Sequence, residues 1–152
     1  DMRSGTENVP GVAGLGVAAR EMYRDHEAKI ACLTDLKDYM IDRVSELEGV
    51  TVNSKKGEGS APQIVSVSFE GVRSEVLLHA LEEKGIYVSS GSACSAHHPG
   101  ISGTLKGIGV AQKLLDATIR FSFGIFNTKE EIDYCMDVLK ELLPVLRKYR
   151  QS

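Results

Sequence analysis

The sequence predicts an α/β (α+β) protein in which a small, mostly antiparallel sheet packs against helices. Apolar residues recur at intervals of three and four along several stretches, which is the pattern of amphipathic helices. Two other stretches, at 64–69 and 118–123, alternate polar with apolar residues, as half-buried strands do. The connections between strands are unequal in length, which favours antiparallel pairing. The predicted order is α-α-β-β-α-β-β-α, within a single domain formed by residues 1–152.

The first part of the chain predicts two helices that meet near Arg24 and Asp25. Pro10 is compatible with a first helical turn, and the glycines that follow it weaken a single continuous helix. Gly49 is expected to end the second helix. The apolar stripe of that second helix consists of Leu33, Leu36, Met40, Val44 and Leu47.

The middle of the chain predicts three strands and one helix. A short strand is expected at 50–53, and the strand at 64–69 places Val65, Val67 and Phe69 on its buried side. Ser74 is positioned to cap a helix that runs to Lys84, with Gly85 as its stop. A further strand is expected at 86–89.

The last part predicts a polar loop at 90–102, two short helical pieces at 104–108 and 111–115, the final strand and a closing helix. Thr128 and Glu131 have the spacing of a capping box at the start of that helix. The basic cluster at its end suits the negative pole of a helix and consists of Arg147, Lys148 and Arg150. Its inner face carries Ile132, Cys135, Met136, Leu139, Leu142, Leu143 and Leu146.

Composition excludes several classes of partner. The net charge of −3, with basic residues spread along the chain, offers no footprint for nucleic acid or an anionic membrane. No apolar run reaches the ~18 residues that span a bilayer. Three cysteines, far apart and without a Cys-x-x-Cys pair, argue against a disulfide framework and favour a reducing compartment, the cytoplasm.

Cys94 is the candidate reactive residue. It lies between a predicted strand and a polar loop, and only small residues flank it, which leaves its sulfur accessible. The alternative is an incidental surface cysteine. Cys32 lies beside one apolar stripe and Cys135 lies on another, so both are expected to behave as small buried hydrophobic residues.

His97 and His98 follow Cys94 closely enough to suggest a zinc site. A structural zinc site needs four ligands, however, and His26 and His79 stand alone elsewhere in the sequence. We therefore expect no metal. The two adjacent histidines are either solvated loop residues or groups that tune the protonation of the thiol.

Arg120 occupies the middle of the alternating strand 118–123. An arginine there is costly unless its charge is paired or points into a cleft, where its planar fork suits a carboxylate. The alternative is that it faces solvent on the polar side of the strand.

The segment before the first helix offers a candidate anion site. Thr6 and nearby backbone N–H groups are placed to bind a phosphate, since helix N-termini favour anions. Plain capping of the helix by Thr6 or Asn8 is an equal alternative. Gly11, Gly14 and Gly16 do not form a dinucleotide fingerprint, because no strand precedes them.

Three motifs together resemble the C-terminal part of NifS/IscS-type cysteine desulfurases, which belong to the class V aminotransferase superfamily. They are Arg-Ser-Gly-Thr-Glu-Asn-Val-Pro-Gly at 3–11, Ser-Ser-Gly-Ser-Ala-Cys at 89–94 and Ile-Arg-Phe-Ser-Phe-Gly at 119–124. The resemblance runs in order over essentially the whole chain. It implies the small C-terminal domain of a fold-type I pyridoxal-phosphate enzyme.

The resemblance also implies roles for individual residues. Cys94 corresponds to the nucleophile that takes sulfur from L-cysteine as a persulfide and leaves L-alanine. Arg120 corresponds to the arginine that holds the substrate carboxylate. Thr6 corresponds to a threonine that reaches the phosphate of pyridoxal phosphate in the second subunit of a homodimer. The sulfur would pass to an acceptor or scaffold protein, for iron–sulfur cluster assembly or tRNA thiolation.

The family's Schiff-base lysine precedes the first motif and has no counterpart in this chain. Since the chain also opens on turn-type residues without an initiating methionine, we expect a C-terminal fragment that is inactive by itself. A selenocysteine lyase, another class V aminotransferase-like enzyme, and a non-catalytic domain for dimerisation or acceptor docking are the alternatives.

Overall fold

Three antiparallel strands form the sheet at the centre of the fold, in the order β1-β2-β3. They are β1 (Val50–Val52), β2 (Ile64–Phe69) and β3 (Thr118–Ser122). The structure is a computed structural model, and it describes residues 7–90 and 102–149. The predicted small antiparallel sheet is confirmed, with β2 as its central strand.

Five α-helices accompany the sheet in the described residues: α1 (Val9–Tyr23), α2 (His26–Ser45), α3 (Ser74–Glu82), α4 (Gly103–Gly107) and α5 (Lys129–Tyr149). Short 3₁₀ segments lie at Gly57–Gly59 and Gln112–Ala117. The predicted break between the first two helices is confirmed, and Asp25 between them has a positive φ of 53°. The capping box is confirmed as well: Glu131 N–H donates to Thr128 Oγ1 at 3.3 Å and Thr128 N–H to Glu131 Oε2 at 3.1 Å.

The core lies on one face of the sheet, where α2, α3 and α5 pack. Val65, Val67 and Phe69 of β2 are fully buried, as their alternation predicts, and Phe69 meets Phe121 of β3 edge to face at 6.5 Å. Each such side chain contributes roughly 2 kcal/mol when removed from water. The helices complete the core with their apolar faces, whose buried residues include Leu36, Met40, Val44, Leu77, Leu81, Ile132, Met136 and Leu139.

The predicted strand at 86–89 is wrong. Within 86–89, only Ser89 pairs with the sheet, through an isolated bridge to Arg120 of β3. The chain leaves α3 at Gly85, whose φ is +76°, and the Ile86 N–H bonds back to the Leu81 carbonyl of that helix. The start of the segment is therefore tied to the end of α3, and the backbone reaches β3 at one residue.

Two local expectations also need correction, and the role of Arg147 extends beyond the one expected. Ser74 is the first residue of α3 and its cap is Arg73, which has no side-chain capping bond. Cys32 is exposed, because the first turns of α2 extend beyond the core. Arg147 does more than balance a helix dipole: its guanidinium donates to the carbonyls of Glu48 at 2.7 Å and Glu70 at 3.0 Å. It thereby ties the turns at the ends of β1 and β2 to α5.

α1 contributes no buried residue to the described fold. Asn8, one of the two caps considered from the sequence, accepts a hydrogen bond from Gly11 N–H at 3.1 Å. The helix exposes its large apolar side chains, which are Val9, Val12, Leu15, Val17, Met22 and Tyr23.

A polar cluster joins α2 to α5. The Asp133 carboxylate accepts hydrogen bonds from Tyr39 Oη at 2.8 Å and Arg43 Nε at 3.0 Å. The pKa of Asp133 lies below its ordinary value of 3.8, first because of the hydrogen bond from Tyr39 and further because of the contacts with Arg43. Because the folded state favours the ionised carboxylate, this group stabilises the fold at pH values above 3.8 and ceases to do so as pH falls through its lowered pKa.

Replacing Asp133 with asparagine is therefore expected to flatten the acid side of the stability profile. The free energy of unfolding of the Asp133→Asn variant should fall less steeply below pH 4 than that of the original chain, in urea titrations at successive pH values. Tyr39→Phe, which removes the strongest contact, should give an intermediate slope. Identical acid slopes for all three proteins would contradict this assignment.

Candidate functional site

The face of the sheet opposite the helices is polar. Because β2 buries its odd-numbered residues, the even-numbered Ser66 and Ser68 point to the other side, and in β3 the same holds for Thr118 and Arg120. The register places Ser66 directly opposite Arg120 and Ser68 opposite Thr118. A row of hydroxyl groups therefore surrounds the one charged side chain that the three strands carry on this face.

Arg120 is half-buried at the centre of this face. Its Nε is fully buried and, within the part of the chain described here, has no hydrogen-bond partner. A buried donor without an acceptor costs roughly 1–3 kcal/mol, and more when it is charged. The predicted strand position of Arg120 is confirmed, and the unsatisfied donor suits an acceptor brought by a ligand. A carboxylate fits the planar fork of a guanidinium.

The isolated bridge connects Arg120 to the start of the segment that carries Cys94. Ser89 N–H donates to the Arg120 carbonyl at 3.1 Å, and Arg120 N–H donates to the Ser89 carbonyl at 2.7 Å. This pair of hydrogen bonds fixes Ser89, the first residue of the 89–94 motif, beside Arg120, whose side chain is the candidate carboxylate-binding group. The sequence signal was present in the two motifs, but neither of them indicates that they are neighbours.

A hydroxyl network lies next to Arg120 on the same face. Asn53, just after β1, contacts Ser68 Oγ at 2.9 Å and Ser66 Oγ at 3.4 Å through its side-chain nitrogen. Ser68 and Thr118 are both buried, with their oxygens 2.7 Å apart. Sequence analysis did not single out Asn53 or the serines, although the alternation of β2 placed the serines on the polar side.

Two cavities border the sheet. One of about 310 Å³ lies beside Asn53, between β1 and the segment after α4. The other, of about 360 Å³, lies between 85–88 and the start of α5, and Cys135 lines it. Burial raises the pKa of the Cys135 thiol to about 12, so it stays protonated near neutral pH and is a poor nucleophile. The expected structural role of Cys135 agrees with this burial.

Several candidates from the sequence lie outside the described residues: Thr6, Cys94, His97 and His98. Within 7–90 and 102–149, no three side chains of histidine, cysteine, aspartate or glutamate gather closely enough to hold a metal ion. In the same ranges, no helix combines the length and apolar character that a membrane crossing requires.

The polar face of the sheet does not supply the Schiff-base group that pyridoxal phosphate needs. Its Schiff base needs a free lysine, and none of the residues that β1, β2 and β3 place on the polar face is a lysine. Lys37, the fully buried lysine of α2, is committed to the carbonyls of Gly57 and Ser60. The half-buried guanidinium of Arg120 has the geometry to bind a carboxylate.

Comparison with curated proteins finds relatives named cysteine desulfurase IscS. That of Klebsiella pneumoniae is 39% identical over 158 aligned positions, which cover 99% of this chain and 38% of the relative. That of Dictyoglomus turgidum is 36% identical over 146 positions, covering 95% of this chain and 37% of the relative. The chain thus spans well under half the length of the curated relatives it matches.

Solved structures show the same fold. A NifS-like protein superposes with a TM-score of 0.79 at 30% identity, covering 95% of this chain and 36% of that one. An apo cysteine desulfurase from Thermococcus onnurineus superposes with a TM-score of 0.71 at 25% identity, covering 95% of this chain and 33% of that one. A NifS-like protein from Rickettsia africae superposes with a TM-score of 0.76, and at 22% identity it supports the fold alone.

The family model described as aminotransferase class-V matches residues 1–135, which is most of the chain. Because this match covers most of its residues, the chain belongs to the class-V aminotransferase family.

Proposed function

We propose that this chain is the C-terminal part of a cysteine desulfurase, which removes sulfur from L-cysteine and leaves L-alanine. The observation that carries the proposal is the double hydrogen bond between Ser89 and Arg120. It joins Ser89, at the start of the segment that carries Cys94, to a half-buried arginine whose Nε has no acceptor among the described residues. Relatives that carry this activity in their names align with nearly the whole chain.

In this proposal, Arg120 binds the α-carboxylate of L-cysteine. Two parallel hydrogen bonds from the guanidinium fix both the position and the orientation of the substrate. The amine and the thiol of the substrate then project away from the polar face.

Cys94 is proposed to accept the sulfur. Its thiolate attacks the sulfur atom of L-cysteine, a sulfur–sulfur bond forms and the carbon–sulfur bond of the substrate breaks. The electron pair of that bond passes to the substrate carbon, which takes up a proton to give alanine. The sum is one thiol and one cysteine converted to one persulfide and one alanine, with no external oxidant or reductant. Thiolates are the soft nucleophiles that suit attack on sulfur.

The remaining machinery is proposed to lie in other parts of the complete protein. Pyridoxal phosphate, when bound, supplies an electron sink for the bond cleavage. Its lysine would come from a preceding region, and Thr6 would contact its phosphate across a homodimer. A cytoplasmic acceptor or scaffold protein would then take the persulfide sulfur for iron–sulfur clusters or tRNA thiolation.

Replacement of Arg120 with alanine in the complete protein tests this proposal. Loss of a charge-assisted, bidentate contact is expected to lower kcat/KM for L-cysteine about 100-fold or more. Alanine and sulfide released from L-cysteine measure the activity. Arg73→Ala is the matched control, because Arg73 is an exposed arginine before α3 that pairs loosely with Glu75 at 3.9 Å. An Arg120→Ala protein with undiminished kcat/KM would overturn the assignment.

A further inference from the structure

The hydrogen bonds beside Arg120 determine where each hydroxyl proton lies. The Leu114 carbonyl can only accept, so the Thr118 hydroxyl donates to it at 2.8 Å. Having one proton, Thr118 has none left for Ser68. The Ser68 hydroxyl therefore donates to Thr118 Oγ1, across the 2.7 Å between the two oxygens.

The direction of the Asn53 contacts follows from this. Because the proton of Ser68 is already used, its oxygen accepts from Asn53 at 2.9 Å, and the side-chain nitrogen of Asn53 must be the atom that faces it. The same nitrogen lies 3.4 Å from Ser66 Oγ and donates its second proton there. Ser66 is therefore an acceptor toward Asn53, and its own proton is left for another direction.

On the side away from Asn53, the neighbour of Ser66 is Arg120. Ser66 lies between Asn53 and Arg120, and Arg120 is its register partner in β3. Because both backbone groups of Arg120 bond to Ser89, its pair with Ser66 is of the non-hydrogen-bonded kind, with Cα atoms about 4.5 Å apart and side chains on one face. In the part of the chain that the structure describes, the Ser66 hydroxyl has no acceptor.

Two donors thus lie on neighbouring strands of one face without an acceptor among the described residues: the Ser66 hydroxyl and the Nε of Arg120. We propose that Ser66 is a second binding residue for the substrate carboxylate, with Asn53 orienting its hydroxyl. A carboxylate has two oxygens that only accept, which matches this pair of donors. The inference rests on the proposed function, since it assigns Ser66 to the site that Arg120 would form.

Replacing Ser66 with alanine in the holoenzyme of the complete protein tests the inference. Loss of a hydrogen bond to a charged group is expected to raise the KM for L-cysteine about tenfold. The kcat should stay within about twofold, because the contact is made to a group that does not react. Ser66→Thr retains a hydroxyl in a residue that suits strands, and its KM should return to near that of the original enzyme.

Inhibition by cysteamine separates carboxylate binding from general damage. Cysteamine has the amine and thiol of L-cysteine but no carboxylate, so its inhibition constant should be the same for the original enzyme and Ser66→Ala. Ser122→Ala is the matched control, since Ser122 lies on the same face of β3 two residues from Arg120 and is exposed. This variant should change neither constant.

The outcomes distinguish this inference from the proposed function. An unchanged KM in Ser66→Ala, or a cysteamine constant that rises as much as the KM, would overturn the role of Ser66. If Arg120→Ala still raised the KM in that case, the proposed function would stand. A higher KM in Ser66→Ala that Ser66→Thr did not lower again would likewise contradict the binding role of the Ser66 hydroxyl.

Discussion

Replacing Cys94 with serine in the complete protein is expected to abolish the release of alanine and sulfide from L-cysteine. A serine hydroxyl is un-ionised near neutral pH and is a hard, weak nucleophile toward sulfur, whereas a thiolate is a soft one. If the nucleophile adds a factor typical of covalent catalysis, the loss should exceed about 1,000-fold. Mass spectrometry of the original protein after exposure to L-cysteine should show one added sulfur atom on the peptide that contains Cys94.

The two other cysteines supply the controls. Cys32 is exposed on α2 and Cys135 is buried in the core. Cys32→Ser should retain full turnover, and neither residue should gain a sulfur atom. Undiminished turnover by Cys94→Ser, or an added sulfur on Cys32 alone, would exclude Cys94 as the sulfur carrier.

Truncating Leu139 to alanine is expected to destabilise the fold by about 3 kcal/mol. Leu139 is fully buried on α5, in the core that the helix forms with the sheet. The substitution removes buried methyl groups and leaves a cavity that close-packed neighbours fill only in part. Urea unfolding of this chain should show a lower midpoint with an unchanged slope.

An exposed neighbour on the same helix provides the comparison. Asp137 lies two residues before Leu139 and faces solvent. Asp137→Ala should change the free energy of unfolding by no more than about 0.5 kcal/mol. Equal losses in the two variants would show that α5 does not pack through the face that Leu139 occupies.

Local patterns along the chain predict most of the elements of this fold. The apolar spacing of α2 and α5, the alternation of β2 and the Thr128–Glu131 capping box all appear in the structure. Each depends on interactions within a few residues, or on a periodicity that only one secondary structure can bury. These features can therefore be predicted without knowledge of the tertiary structure.

Two of the predictions that were wrong, the strand at 86–89 and the burial of Cys32, have a different cause. The segment 86–89 has the composition of a strand, but its first N–H bonds to the end of α3 and a single residue reaches β3. Cys32 follows the helical period beside an apolar stripe, yet α2 is longer than the surface it covers. In both cases the outcome depends on where distant elements end, which periodicity does not encode.

The sequence by itself determined which chemical groups the protein has available: a thiol flanked by small residues at Cys94 and an arginine within an alternating strand at Arg120. Only the tertiary structure decided that Ser89 and Ser66 lie on either side of that arginine and that Asn53 donates hydrogen bonds to Ser66 and Ser68. The physical reason is that strand register is set by the burial of the opposite face. A shift of one residue would turn every one of these side chains into the core.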